Sequence, residues 1–158
     1  MLKIVSGGQT GVDRGALDSA LEAGVPCGGW CPPGCLAEDG VIDSRYGLKP
    51  LEQGGYADRT RRNVVDSDAT LVIYFGRLEG GTALTASYCE QRCKPLLLVD
   101  ALQSPPAMAA GRAVGFIAGH GVEKLNVAGP RASTTPAAYG YARSTIALLL
   151  DTLPQAVE

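Results

Sequence analysis

No apolar run in this sequence approaches the roughly 20 residues that span a bilayer, and Met1-Leu2-Lys3 enters a short apolar segment without a secretory leader's hydrophobic region. A cytoplasmic protein with no membrane partner is expected. Strong charge of either sign is missing as well, the formal net charge being −2. A general nucleic-acid binder needs a basic face to displace counterions, so no nucleic-acid partner is expected and any anion site must be local. The sole histidine, His120, lies between Gly119 and Gly121 and reads as a capping or surface residue rather than a catalytic base. Paired C-x2-C knuckles are absent, and Pro32-Pro33-Gly34 interrupts Cys27, Cys31 and Cys35, so no metal centre is expected. Five cysteines are an odd count for a disulfide framework and are expected to be reduced thiols. Cys89 and Cys93, four apart on an expected helix, read as small buried hydrophobes. Neither G-x-G-x-x-G nor a Walker A loop occurs.

What is present is strand and helix in alternation over residues 1–158, expected to form a single domain, with 46% hydrophobic residues to build its core. Leu2 to Val5 suits a buried strand, and Val12, Ala16, Leu17, Ala20 and Leu21 recur at helical spacing. Between them lies Ser6-Gly7-Gly8-Gln9-Thr10-Gly11. Glycines let an anion approach the main chain, and the N–H groups at a helix start favour negative charge. This turn therefore reads as a phosphate cradle, able to hold phosphate or sulfate, with Gln9 and Thr10 adding donors. Cys27 to Trp30 forms a short second strand, Thr70 to Phe75 a central strand buried on both sides, Leu96 to Val99 a fourth and Lys124 to Ala128 a fifth. Helices are expected from Tyr56 to Asp66, Ala83 to about Arg92, Pro105 to about Ala118 and Pro136 to Leu153. Cys31 to Gly55 lacks regularity and reads as a lid or binding loop. Apolar Met108, Val114, Phe116 and Ile117 on the fourth helix suggest a homo-oligomer.

Such alternation predicts an α/β, Rossmann-like open parallel sheet of about five strands with helices on both faces. Ligands bind such sheets beyond the carboxyl ends of the strands. Gly7 to Gly11, a second glycine turn at Glu79-Gly80-Gly81-Thr82, and Gly129 to Ser133 follow the first, third and fifth strands and would share that edge. Arg14, Arg131 and the pair Arg59 and Arg62 can line the same crevice, and Arg59 and Arg62, at i and i+3, can reach one anion together. Trp30 either packs in the core or stacks on a flat heterocycle.

Ser6-Gly7-Gly8-Gln9-Thr10-Gly11-Val12-Asp13-Arg14, Gly29-Trp30-Cys31-Pro32, Ala37-Glu38-Asp39-Gly40, Tyr46, Arg59-Thr60, Asn63-Val64, Ser67-Asp68, Gly80-Gly81-Thr82, Lys94-Pro95 and Asn126-Val127-Ala128-Gly129-Pro130-Arg131 together resemble the putative molybdenum carrier proteins. That family is similar to molybdenum cofactor carriers and, more distantly, to the lysine-decarboxylase-like phosphoribohydrolases. The resemblance implies a Rossmann-like fold, binding of the molybdenum cofactor (molybdopterin) or a related phosphorylated pterin, and a molybdoenzyme as acceptor. The hydrolases carry Pro-Gly-Gly-x-Gly-Thr-x-x-Glu, whereas Thr85 stands here where their catalytic glutamate falls. A hydroxyl cannot replace a carboxylate base at neutral pH. Cys35 stands where the carriers are expected to place a basic residue.

The expected function is therefore a carrier without a catalytic residue, its ligand held by Gly7, Gly8, Gln9, Thr10, Gly11, Arg14, Trp30, Arg59, Arg62, Glu79, Gly80, Gly81, Thr82, Gly129, Arg131 and Ser133. A nucleotide-processing enzyme that cuts an N-glycosidic bond is the alternative, with Glu79, Glu38 or Asp39 as the base. A nucleotide-sensing module is the third reading.

Overall fold

The computed structural model describes residues 1–154. Strand β1 (Lys3–Val5) leads into helix α1 (Val12–Glu22), whose Val12, Ala16, Leu17 and Ala20 are fully buried, as the helical spacing requires. β2 (Cys27–Cys31) follows, then a short hairpin of β3 (Leu36–Ala37) and β4 (Gly40–Val41), a single 3-10 turn at Ser44–Tyr46, and β5 (Leu48–Pro50). The chain continues through α2 (Tyr56–Val65), β6 (Ala69–Tyr74), α3 (Gly80–Gln91), β7 (Leu96–Asp100), α4 (Pro106–His120), β8 (Lys124–Ala128) and α5 (Ala138–Thr152). No helix among the described residues is long and apolar enough to cross a membrane.

The main sheet has six parallel strands in the order β5-β2-β1-β8-β6-β7. Right-handed crossovers decide the layers. Because β1-α1-β2 and β6-α3-β7 step in opposite directions, α1 and α3 cover opposite faces; α4 and α5 join α1, and α2 joins α3. The main core gathers Ile4, Leu71, Ile73, Val99, Leu125 and Val127 under Val12, Ala113, Ile146 and Leu149. β6 is buried from Ala69 to Ile73, consistent with two covered faces.

The sheet has one strand more than the sequence predicts, and the addition lies in the stretch read as irregular. β5 is three residues long and has a single neighbour, β2. So short an edge strand leaves no hydrophobic pattern to detect, and its terminal Pro50 argues against a strand unless the position is at an edge. Nor is this stretch a free lid: Ala37, Ile42 and Tyr46 are buried with Leu17 and Cys31 in a second hydrophobic cluster. The Pro32–Gly34 turn brings the Cα atoms of Cys31 and Cys35 to 5.0 Å and joins the two as a disulfide, where reduced thiols were expected. Cys27, Cys89 and Cys93 are free. Cys93 does not share the helical face of Cys89: α3 stops at Gln91, and Cys93 is exposed with φ 53°. On α4, Met108 is exposed but Ile117 is buried.

Candidate functional site

Three strands that are adjacent in the sheet, β1, β8 and β6, send their following loops to one end of it. The direction of winding reverses there, and the loops enclose a crevice of about 450 Å³. Its lining includes Gly7, Gln9, Arg59, Glu79, Gly80, Gly81, Thr82, Gly129 and Arg131 from the residues expected to bind ligand. Gly8, Thr10, Gly11, Arg14, Trp30, Arg62 and Ser133 lie outside that lining.

The turn after β1 is largely satisfied by its own side chains. Gly8 N donates to Ser6 Oγ at 3.1 Å, Gln9 N to Asp13 Oδ2 at 3.3 Å and Thr10 N to Gln9 Oε1 at 3.0 Å. Gly8 has φ +75°, and a Cβ there would lie 2.6 Å from Leu48 Cδ2, in the second cluster rather than at the open edge. Gly11 precedes α1, and the next amide, Val12 N, donates to Pro130 O at 3.2 Å. Thr10 Oγ1 accepts from Ala132 N at 3.1 Å and bonds Glu38 Oε1.

Acidic residues of the hairpin hold this turn in place. Glu38 Oε2 accepts from Ser133 Oγ at 2.6 Å, Oε1 accepts from Ser133 N at 3.1 Å, and Arg131 Nη1 stands 3.9 Å away. Hydrogen bonds from Ser133 and Thr10 hold the Glu38 carboxyl below the usual range. Arg14 pairs with Asp39 at 2.9 Å and also donates to Gly8 O at 3.0 Å; that pairing lowers the Asp39 carboxyl. Glu38 and Asp39 thus act as struts, ionised and engaged, which suits neither to the role of a base.

The turn before α3 is different. Gly80 and Gly81 are exposed, a Cβ on either would meet nothing within 4 Å, and no side chain caps the helix at Glu79. The first turn of this 12-residue helix thus has no side-chain cap for its N–H groups, and its Gly80, Gly81 and Thr82 line the crevice. Thr85 donates back to Gly81 O at 3.0 Å and is 4% exposed.

Arg59 and Arg62 part company. Arg59 is 8% exposed and donates from Nη1 to Gly7 O at 2.7 Å, inside the crevice. Arg62 lies over the Trp30 ring at 4.3 Å and donates to Asp66 at 3.0 Å. Trp30 Nε1 also donates to Asp66, at 2.7 Å, while Asn63 clamps the Trp30 backbone through both its amide N–H and carbonyl. Trp30 is thereby engaged between β2 and α2.

Of the lining residues that the sequence reading did not assign to the site, Tyr56 and Asp13 bear most on its chemistry. The Tyr56 ring has two guanidiniums near it, Arg59 at 5.5 Å and Arg131 at 5.7 Å from its centroid. Its placement at i−3 from Arg59 on the helix was the available signal. Asp13 is buried in the lining, with Arg59 Nη1 3.8 Å from its Oδ2. Burial raises its carboxyl from 3.8 to about 6, against the opposing pull of Arg59, the Gln9 N–H, Arg14 and Arg131. A carboxylate in the first turn after a supposed anion cradle was the anomaly that could have flagged it.

The likeness to molybdenum carriers extends to a solved structure from Syntrophus aciditrophicus, described as a putative molybdenum carrier protein. It is 42% identical to this chain, with a TM-score of 0.92 and 95% of each chain covered. No curated protein matches. Residues 4–150 match the model of the circularly permutated YpsA SLOG family, and with that extent of match the chain belongs to it.

Proposed function

We propose that this protein is a carrier that holds the molybdenum cofactor or a related phosphorylated pterin in the crevice beyond β1, β8 and β6. The observation that carries the reading is the open amino end of α3 at Gly80, Gly81 and Thr82, facing the same space as Arg59 and Arg131. Unpaired N–H groups and guanidiniums suit phosphate and oxo groups. The description of the Syntrophus protein supports the same ligand class. The phosphate is assigned to the α3 turn rather than to the β1 turn, where the N–H groups of Gly8, Gln9 and Thr10 already have partners. A carrier needs only differential affinity, and the cofactor would pass to a molybdoenzyme. Mass spectrometry of ligand released from the purified protein, with molybdenum quantified alongside, tests the reading. A pterin phosphate supports it; a nucleotide as sole ligand overturns it.

A second reading, N-glycosidic cleavage of a nucleotide, is favoured by Asp13. A buried carboxyl raised to about 6 in a crevice has the character of a general base or acid. It would take the role that Thr85 cannot fill, in place of Glu79, Glu38 or Asp39. Turnover of a nucleoside monophosphate that disappears in Asp13→Asn would establish the enzyme.

A homo-oligomer belongs to the same proposal, supported by the exposed apolar residues Leu98 on β7, Leu102 just after it and Met108 on α4.

A further inference from the structure

Gln9 is 6% exposed, yet its Nε2 is buried without a hydrogen-bond partner. Its orientation is fixed from the other side: Oε1 accepts from Thr10 N at 3.0 Å and from Glu38 N at 2.9 Å. Reversing the amide would set an NH2 group against two N–H donors, so the orphan donor cannot be relieved by a flip. An unpaired buried N–H is costly, and a ligand acceptor would relieve it. Four residues on, in the first turn of α1, stands Asp13. Its Oδ2 takes the Gln9 N–H at 3.3 Å, while Oδ1 has no partner among the described residues. Both residues line the same crevice.

A phosphate does not suit this corner, because a buried carboxylate repels an anion and offers it no proton. A spare donor on Gln9 and a spare acceptor on Asp13, two residues already joined through the Gln9 N–H and Asp13 Oδ2, instead match a group with the opposite order, a carbonyl next to an N–H. We propose that Gln9 and Asp13 read the 2-amino-4-oxo edge of a fused pyrimidine ring, the carbonyl oxygen accepting from Gln9 Nε2 and the ring N–H and exocyclic amine donating to Asp13. The inference rests on the carrier reading and gives the crevice a polarity. The phosphate end lies at Gly80 to Thr82, and the heterocycle end at the start of α1. Arg59, 3.8 Å from Asp13, opposes the effect of burial and favours the charged carboxylate that this task uses. Pterin and guanine share this edge, whereas adenine and a 2,4-dioxopteridine do not present it.

The test is a set of equilibrium titrations on the purified protein with 6-hydroxymethylpterin phosphate, its 2,4-dioxo counterpart, GMP and AMP, each repeated on Asp13→Asn and Gln9→Glu. Gln9→Glu keeps the acceptor that holds Thr10 and Glu38 but removes the donor, and a thermal melt verifies that each variant folds. The wild type is expected to prefer the two 2-amino-4-oxo ligands by at least about tenfold, as paired hydrogen bonds discriminate elsewhere. Asp13→Asn should reduce that preference to within about threefold while inorganic phosphate binding persists. The ratio of pterin phosphate to GMP affinity separates the two sources of the edge. Equal wild-type affinity for the 2-amino-4-oxo and 2,4-dioxo phosphates, or undiminished preference in Asp13→Asn, overturns the inference and leaves the carrier reading standing. Failure of every pterin and nucleotide to bind overturns both.

Discussion

Arg59 reaches across 52 residues of chain to donate from Nη1 to the carbonyl of Gly7 at 2.7 Å, fastening α2 to the turn after β1. The guanidinium lies where a side chain on Gly7 would be. Glycine at this position is thus a requirement of the arginine, and the turn is shaped as much by α2 as by its own sequence.

Gly7→Ala is accordingly expected to displace Arg59 and to cost roughly 1–3 kcal/mol, as overpacking does. Gly81→Ala is the contrasting case, since a Cβ there meets nothing within 4 Å. Its stability should stay within about 0.5 kcal/mol of the wild type, or rise slightly from helix propensity, while affinity for a phosphorylated ligand falls. Urea denaturation and ligand titration of both variants check the contrast, and unchanged ligand affinity in Gly81→Ala would remove the α3 turn from the site.

Asp13 should make stability depend on pH. Its carboxyl is raised from 3.8 to about 6 by burial, so between these values the folded state holds a proton that the unfolded state releases. Its contribution is therefore most favourable below about pH 4 and is lost as pH rises through 6, with Arg59, Arg14 and Arg131 moderating the loss. Asp13→Asn is expected to stabilise the protein by roughly 1–3 kcal/mol at pH 8 and by much less at pH 4. Denaturation midpoints at the two pH values measure this, and an equal gap would contradict it.

The Arg131 side chain is 41% exposed and touches Glu38 only at 3.9 Å, so its loss should barely affect folding. Arg131→Ala should weaken binding of a phosphorylated pterin by about 10- to 100-fold, the range for a lost hydrogen bond to a charged group. Isothermal titration beside an unchanged melting curve is the expected result.

Leu102, just after β7, and Met108, in the first turn of α4, are 67% and 55% exposed. The double variant Leu102→Lys, Met108→Lys should shift the mass in light scattering from oligomer to monomer. A wild-type mass that remains monomeric at every concentration would refute the oligomer.

Local signals in the sequence determined the alternation of elements. The spacing of Val12, Ala16, Leu17 and Ala20, the unbroken apolar run of β6 and the glycines after β1 and before α3 act over a few residues and survive in any context consistent with a parallel sheet. They also placed three loops at one sheet edge. Tertiary structure decided which groups within those loops remain free. Only packing shows that β8 inserts between β1 and β6, that the N–H groups after β1 face Ser6 Oγ, Gln9 Oε1 and Asp13 while those of α3 stay open, and that Arg59 and Arg62 turn apart. Likewise β5, three residues at an edge, exists because β2 is there to pair with it. Asp13 acquires its unusual carboxyl only when the fold removes it from water, because desolvation belongs to the surroundings of a residue and is not written in its immediate neighbours.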